Sequence, residues 1–183
     1  MKALLDFWFA DGPDTWRKAW FLRDDAFDAE LRARFGDLAP PDDWAETPHG
    51  ALALCLLLDQ LPRNLNRGSP AAFASDARAR DIARRAVLAR RFDLALTPAE
   101  RVFLYLPFEH SEALADQDVS VALFEGLRDI PLHADPKTGT IAYAWRHRDV
   151  IRRFGRFPHR NQVLGRQSTS AEETYLAQPG SGF

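Results

Sequence analysis

The stretch from Thr47 to Asn64, TPHGALALCLLLDQLPRN, constrains the fold more than any other part of the chain. Thr47 offers a hydroxyl as helix N-cap, and Pro48 takes the first helical position, where a missing N–H costs nothing. Ala51 to Leu58 is then apolar without interruption. A helix that is apolar on every side has to be surrounded by other helices. The character changes abruptly at Asp59, Gln60, Arg63 and Asn64. An aspartate in the last turn opposes the helix dipole, so Asp59 requires a partner. A core helix that delivers polar side chains into the interior is a natural site wall.

The rest of the chain repeats the same start signal. Ser69-Pro70 and Thr97-Pro98 each pair a hydroxyl cap with a proline, and Glu100 completes a capping box with Thr97. Strand-like alternation is almost absent, and the turns are short. The expected fold is all-α, with antiparallel helical hairpins in one domain over 1–183 and a Gly/Pro/Ser tail over 178–183. Leu4, Leu5, Phe7, Trp8 and Phe9 form a first apolar helix closed by Asp11-Gly12-Pro13, and Trp16, Trp20 and Phe21 follow as core. Asp24 caps a helix with Phe27, Leu31 and Phe35 on one stripe and Gly36 as its stop. Pro40 to Asp43 reads as a loop, and the Thr47 helix is expected to end before Pro62. A long helix from Ala71 to about Arg91 should turn Phe73, Ala77 and Ala83 inward. The Thr97 helix should stop at Pro107. Next comes a helix over 113–127 whose stripe holds Leu114, Gln117, Val121 and Phe124, then a loop over 129–139. A helix over 140–154 with Tyr143, His147 and Ile151 on one face follows, and Ser170 starts a last short one.

Composition narrows the function classes. The single cysteine, Cys55, excludes an internal disulfide and sits in the apolar run, where an inert core thiol is expected. The apolar run is about half what a bilayer requires, and Asp6 interrupts the first ten residues before they could read as a signal peptide. The expectation is a cytoplasmic protein with no membrane association. The net charge of −2 conceals a basic block from Arg146 to Arg166, with seven arginines and one acid, Asp149. Phe154 and Phe157 within that block are spaced for packing and the chain as a whole is acidic, which argues against nucleic acid. Guanidinium groups around a carboxylate or phosphate suit the block better.

Chemistry concentrates in three segments: Asp59 to Asn64, Glu109 to Gln117, and His147 to Asn161. Each joins an apolar helix face to a polar corner. Asp116-Gln117 interrupts its helix face as Asp59-Gln60 does, and these are the chain's two Asp-Gln pairs. Inward-facing acids and bases should pair, because an isolated buried charge costs several kcal/mol. Asp59, Glu109, Glu112 and Asp116 are candidate acids. Arg148, Arg156 and Arg160, with His110, His147 and His159, are candidate partners. A buried salt-bridge lattice that binds nothing accounts for the same pattern. Glu109, His110, His147 and His159 could converge on a metal, but no spacing matches the His-Glu-x-x-His pattern, so no metal or cofactor is assigned. P-loop, dinucleotide and Gly-x-Ser-x-Gly signatures are lacking.

Several long motifs carry a family resemblance. They are Leu56 to Asn64 (LLLDQLPRN), Leu104 to Glu112 (LYLPFEHSE), Ala115-Asp116-Gln117, His147-Arg148-Asp149, Arg153 to Asn161 (RFGRFPHRN), Leu164-Gly165-Arg166, and the ending Pro179 to Phe183. In order and over essentially the whole chain they resemble the bacterial family catalogued as domain of unknown function 924. The resemblance implies an all-helical, tetratricopeptide-like stack and brings no catalytic residue with it. Leu61 stands where that family more often has Phe. The shared ending implies that Phe183 docks back onto the body instead of fraying.

The functional expectation is a polar pocket for an anionic small molecule or an acidic peptide end. Arg63, Arg148, Arg156 and Arg160 would hold the anion, and His110, His147 and His159 would orient it. Asp59, Glu109 and Asp116 would fix those bases, with Gln60, Asn64, Glu112, Gln117 and Asn161 completing the lining. Two alternatives stand beside it: a small hydrolase using His110 or His147 as general base, with or without a metal, and a helical-repeat adaptor for a protein partner.

Overall fold

The computed structural model describes residues 1–12 and 15–182, with the side chain of Asp42 left aside; Phe183 and Pro13, and the expectations placed on them, lie outside the described residues. Every regular element among the described residues is helical. The chain divides into two compact units, Met1–Arg67 with Ala71–Phe108, and Gly68–Pro70 with Glu109–Phe183.

The first unit opens with α1 (Lys2–Trp8), which buries Leu4, Phe7 and Trp8. Trp20 lies parallel to Trp8 with ring centroids 6.3 Å apart and donates its indole N–H to the Trp8 carbonyl at 3.0 Å. Phe103 meets Trp8 edge-on at 5.5 Å. Such aromatic pairs add about 0.5–1.5 kcal/mol beyond the area they bury. Phe21 departs from the sequence expectation: it is exposed, stacked on the half-buried Trp16 at 4.9 Å. The reason is local, since a short 3-10 turn (Lys18–Trp20) replaces the regular helix that would have aligned the three rings.

Helix α2 (Asp25–Phe35) begins as expected, with the Asp24 carboxylate accepting from the N–H groups of Ala26 and Phe27. Phe27, Leu31 and Phe35 are buried on one stripe, and the helix ends at Gly36. A 3-10 turn (Asp42–Glu46) occupies what reads in sequence as a loop, and α3 (Pro48–Cys55) follows, capped by the Thr47 hydroxyl on Gly50 N–H at 3.1 Å. The residues from Gly50 to Cys55 are all buried, as an all-apolar helix demands. Burial, and then the charge of Asp59, push the Cys55 thiol well above its ordinary range, so it is an inert core group.

The helix does not stop before Pro62. It widens into a π turn (Leu56–Gln60) and continues as α4 (Leu61–Leu65), with Pro62 in the first turn of α4. Pro62 has no N–H for the carbonyl of Leu58, four residues earlier, and the Ser75 hydroxyl donates to that carbonyl instead, at 2.5 Å.

After a 3-10 turn (Pro70–Phe73), α5 (Asp76–Arg84) runs into a second π turn (Arg85–Ala89). Its inward face is Ala79, Ile82, Ala83, Ala86 and Val87, while Phe73 is half-buried and Ala77 exposed. The interruption between Phe73 and Asp76 resets the helical phase, which moves the stripe away from the one counted along the sequence. Helix α6 (Pro98–Glu109) has the expected capping box, Thr97 N–H to Glu100 at 2.9 Å and Glu100 N–H to the Thr97 hydroxyl at 3.4 Å. It passes through Pro107 and ends only at Glu109.

The second unit is built on α7 (Leu114–Glu125) packed against α9 (Thr140–Phe154), with the short α8 (Pro131–Ala134) in the segment expected to be loop. Gln117, Val121 and Phe124 face inward on α7, while Leu114 is exposed. On α9 His147 and Ile151 are buried, and Tyr143 faces solvent. Gly155 closes α9 at φ +70°, the left-handed conformation that glycine adopts without a Cβ penalty. Val150, Ile151 and Phe157 form a core cluster covered by Phe154 and Tyr175, the latter from α10 (Ser170–Leu176). The cap of α10 is Thr169, one residue before the expected start, in a reciprocal box with Glu172. No helix among the described residues is long and apolar enough to cross a membrane.

Candidate functional site

In the first unit the polar corner sits where the π turn hands over to α4. Asp59 is 1 % exposed and lies 3.1 Å from Arg63, whose guanidinium also makes two 2.9 Å bonds to the Asp76 carboxylate. Gln60 donates to Asp59 at 2.6 Å. Arg63 further donates to the Asp59 carbonyl at 2.6 Å and covers the Phe73 ring. Asn64 donates to Asp28 at 2.8 Å, and Arg67 pairs with the same carboxylate. Arg63, on α4, grips Asp76 of α5, and so acts as a clamp between α4 and α5. Asp59 thus has the partner that its place against the helix dipole calls for.

The second unit holds a denser constellation, centred on Phe157, which is fully buried. His147 meets the Phe157 ring edge-on at 5.5 Å, His159 lies 5.5 Å from it, and the Arg160 guanidinium sits 4.5 Å from its centroid. The His110 ring is 6.3 Å from that of His147. Two histidines and an arginine, from α9 and the 3-10 turn (Pro158–Arg160), therefore lie against one aromatic ring, with His110, just after α6, beside His147.

The Phe157 backbone is clamped as well. Glu112 accepts its N–H at 2.8 Å, and Arg166 donates to its carbonyl at 3.1 Å. Glu112 and Arg166 close the frame with two bonds of 2.7 and 3.0 Å. Half-burial pushes the Glu112 carboxyl upward, but the Arg166 bonds, the Phe157 N–H and the charges of Arg166 and Arg160 outweigh it and hold Glu112 below its ordinary value. Asn161 donates to Ser168 at 3.0 Å, while its buried side-chain oxygen has no hydrogen-bond partner among the described residues. Arg160 and Asn161 are themselves buried.

His147 is oriented from behind. Its Nδ1 is 2.8 Å from the Tyr143 carbonyl and 3.3 Å from Glu109. A carbonyl only accepts, so Nδ1 carries the proton and Nε2 the lone pair. Burial holds His147 well below its ordinary pKa, helped by the fields of His110, Arg160 and His159 and opposed by the Tyr143 carbonyl. His159 is lowered to about 4, by burial first and then by Arg160, with His110 and Arg166 acting the same way against Glu112. Both rings are neutral near pH 7.

Asp116 and Gln117 serve the turn between α6 and α7. Asp116 accepts the Ser111 hydroxyl at 2.7 Å, and Gln117 donates to the carbonyls of Glu109 and Ser111 at 2.6 and 2.7 Å. Like Arg63, two more of the expected anion holders have specific carboxylate partners: Arg148 pairs with Asp118 at 2.6 Å and covers Trp145, and Arg156 grips Glu172 at 2.6 and 2.8 Å. The Arg156 bonds lower Glu172 to about 2 despite its burial. Among the described residues no group of three or more His, Cys, Asp or Glu is placed to hold a metal ion. Two open recesses, about 740 Å³ beside Arg78 and Arg85 in the first unit and about 530 Å³ beside Arg153 and Phe154 in the second, are not lined by the histidines.

The sequence singles out His110, His147, His159 and Arg160 as candidates but does not show the frame around Phe157. Arg166, Glu172 and Ser168 were not among the candidates. The Glu112–Arg166 pair spans 54 residues and leaves no local pattern, whereas Glu172 had a readable signal in the Thr169-x-x-Glu172 box.

A family model described as a bacterial protein of unknown function (DUF924) matches residues 4–180. The fold is similar to the solved structure of a protein of unknown function, ATU0120, from Agrobacterium tumefaciens, at 40 % identity and a TM-score of 0.81, covering 96 % of each chain. Among curated proteins none is significantly similar to the chain.

Proposed function

Because the chain belongs to the DUF924 family, whose description assigns no activity, we propose from its own geometry that it binds an anion. The ligand is a small molecule or peptide end with an oxyanion group, taken up at the Phe157-centred cluster of the second unit. The observation that carries this reading is the convergence of His147, His159 and Arg160 on the Phe157 ring, with His110 beside His147, braced by the Glu112–Arg166 pair. Neutral histidines are directional N–H donors, and guanidinium groups favour carboxylate and phosphate geometry. Arg160, His110 and His159 are the groups that touch the ligand in this reading. Glu109, Glu112, Gln117 and Arg166 position them. Arg148 and Arg156 stabilise the fold through Asp118 and Glu172.

The test is thermal unfolding against sulfate, phosphate and a panel of mono- and dicarboxylates. A ligand at 100 times its Kd stabilises by about 2.7 kcal/mol, which moves the midpoint by roughly 5–11 °C at this chain length. Arg160→Gln should abolish the shift while leaving the unliganded protein folded. A flat response across the panel refutes the reading.

One observation favours a second reading, hydrolysis with His147 as general base. Its Nδ1–H is fixed by a carbonyl with a carboxylate alongside, which leaves Nε2 as acceptor, the arrangement such a base requires. Turnover of an ester panel that disappears in His147→Gln but survives Arg160→Gln would select this reading over the first.

A further inference from the structure

We propose that the outer face of α9 is a docking surface for an acidic peptide segment, held by the Arg146 and Arg153 side chains. The proposal goes beyond the anion-binding reading above, does not rest on it and uses different arginines. Arg146 and Arg153 lie seven residues apart on α9, two helical turns, which places them on one face about 10 Å apart. Both are exposed. Arg148 pairs with Asp118, Arg152 with Asp149 at 3.4 Å and Arg156 with Glu172. Among the described residues, Arg146 and Arg153 have no carboxylate at ion-pair distance.

Each of the two is laid over an aromatic ring instead. Arg146 sits 4.9 Å from the Tyr143 centroid and donates to the Lys137 carbonyl at 2.7 Å. Arg153 sits 4.6 Å from the centroid of Phe154, whose ring meets that of Tyr175 at 5.2 Å. A guanidinium group against a ring keeps its N–H fork available to a carboxylate. It is also already restricted, so less rotamer freedom is lost when the partner arrives. Beside Arg153 the open recess of about 530 Å³, bounded by Phe154, Thr169 and Ala171, has room for an apolar side chain.

Charge complementarity selects the occupant. Two guanidinium charges without carboxylates of their own call for two acids about 10 Å apart. A polyproline II segment returns to the same side every third residue, about 9 Å further on. Glu-x-x-Glu followed by an apolar residue therefore matches the arginine pair and the recess. Nucleic acid fits less well, because the arginines cover the rings on which bases would stack and the chain carries a net charge of −2.

The probe is the peptide Glu-Pro-Pro-Glu-Leu, blocked at both ends, titrated into the isotope-labelled full chain and followed by amide chemical shifts. Shifts should be confined to residues 143–156 and 169–172 and should weaken as salt is raised. Arg146→Gln and Arg153→Gln should each raise Kd roughly two- to fivefold, as loss of one exposed ion pair does, with unchanged thermal midpoints. Arg160→Gln should leave peptide binding in place. No shift in these segments at millimolar peptide overturns the proposal, as does unchanged affinity in a folded double variant. Equal binding of Gln-Pro-Pro-Gln-Leu overturns the role of the two arginines. Binding lost in a folded Arg160→Gln but kept in both surface variants moves the peptide to the Phe157 cluster, which overturns this surface and supports the anion site. Oligothymidylate binding the same residues more tightly than the peptide overturns the assignment in favour of nucleic acid.

Discussion

Replacing Gly50 with alanine sets helix propensity against packing. In an exposed helix interior the exchange would stabilise the protein by about 1 kcal/mol. Gly50 is instead buried in the first turn of α3, where that helix lies against the Asp42–Glu46 turn. A Cβ there would overlap the carbonyl oxygen of Trp44 and stand 2.7 Å from the Thr47 hydroxyl and 2.8 Å from the Trp44 carbonyl carbon. The obstructing atoms are mainly backbone, so no side-chain rotation relieves them. Moving the turn costs about 1–3 kcal/mol as overpacking. Disturbing the Thr47 cap, whose bond is made to Gly50 N–H itself, costs about 1 kcal/mol more. Against the propensity gain, the net effect is a loss of about 1–3 kcal/mol, or a fall in midpoint of roughly 2–12 °C. Circular dichroism on heating and in urea would measure it, with Thr47→Ala and the double variant separating the cap from the clash. A Gly50→Ala protein as stable as the wild type, or more so, would refute the reasoning.

Three further outcomes follow from the same structure. On acidification, unfolded chains protonate histidine near pH 6.5, but the fold holds His147 and His159 neutral below that. Their contribution is thus complete above pH 6.5 and is lost as pH falls, at up to about 1.4 kcal/mol per pH unit for each histidine. Urea midpoints should decline from pH 6.5 towards 4.5, and His159→Gln should make the decline shallower; an unchanged slope in that variant contradicts the assignment. Glu112→Gln and Arg166→Met should each destabilise the second unit, and the double variant should show a coupling of about 1–3 kcal/mol, because both ends of the pair also hold the Phe157 backbone. Strict additivity there would mean that the frame contributes nothing. Ser75→Ala removes the donor to the Leu58 carbonyl and should cost about 1 kcal/mol, recovered in part by Pro62→Ala, which restores an N–H within the helix. Equal losses in the single and double variants would show that the carbonyl is satisfied some other way.

Much of the helical scaffold was legible because its signals are local. Thr47-Pro48, Asp24 and the Thr97/Glu100 box are each complete within four residues, and a cap has one geometry wherever it occurs. The all-apolar run of α3 could only be interior, and the boundaries of α9 follow from its periodicity and from Gly155. The prolines misled the reading. Pro62 and Pro107 read as terminators, yet both helices pass through them, and at Pro62 the missing donor is replaced by Ser75, the residue before α5. No window of sequence around Pro62 contains that hydroxyl.

The same division separates the residues of the candidate site from its construction. That His110, His147, His159 and Arg160 are chemically eligible, and that a histidine at position 147 would face inward, follows from residue type and helical phase alone. Where each arginine side chain is placed is decided in three dimensions. Arg156 directly precedes Phe157 in the chain yet grips Glu172, while Arg166 reaches back 54 residues to Glu112. The physical reason is that a charge finds its partner by distance and burial, both of which depend on how helices pack, whereas a helix end is satisfied by atoms a few residues away.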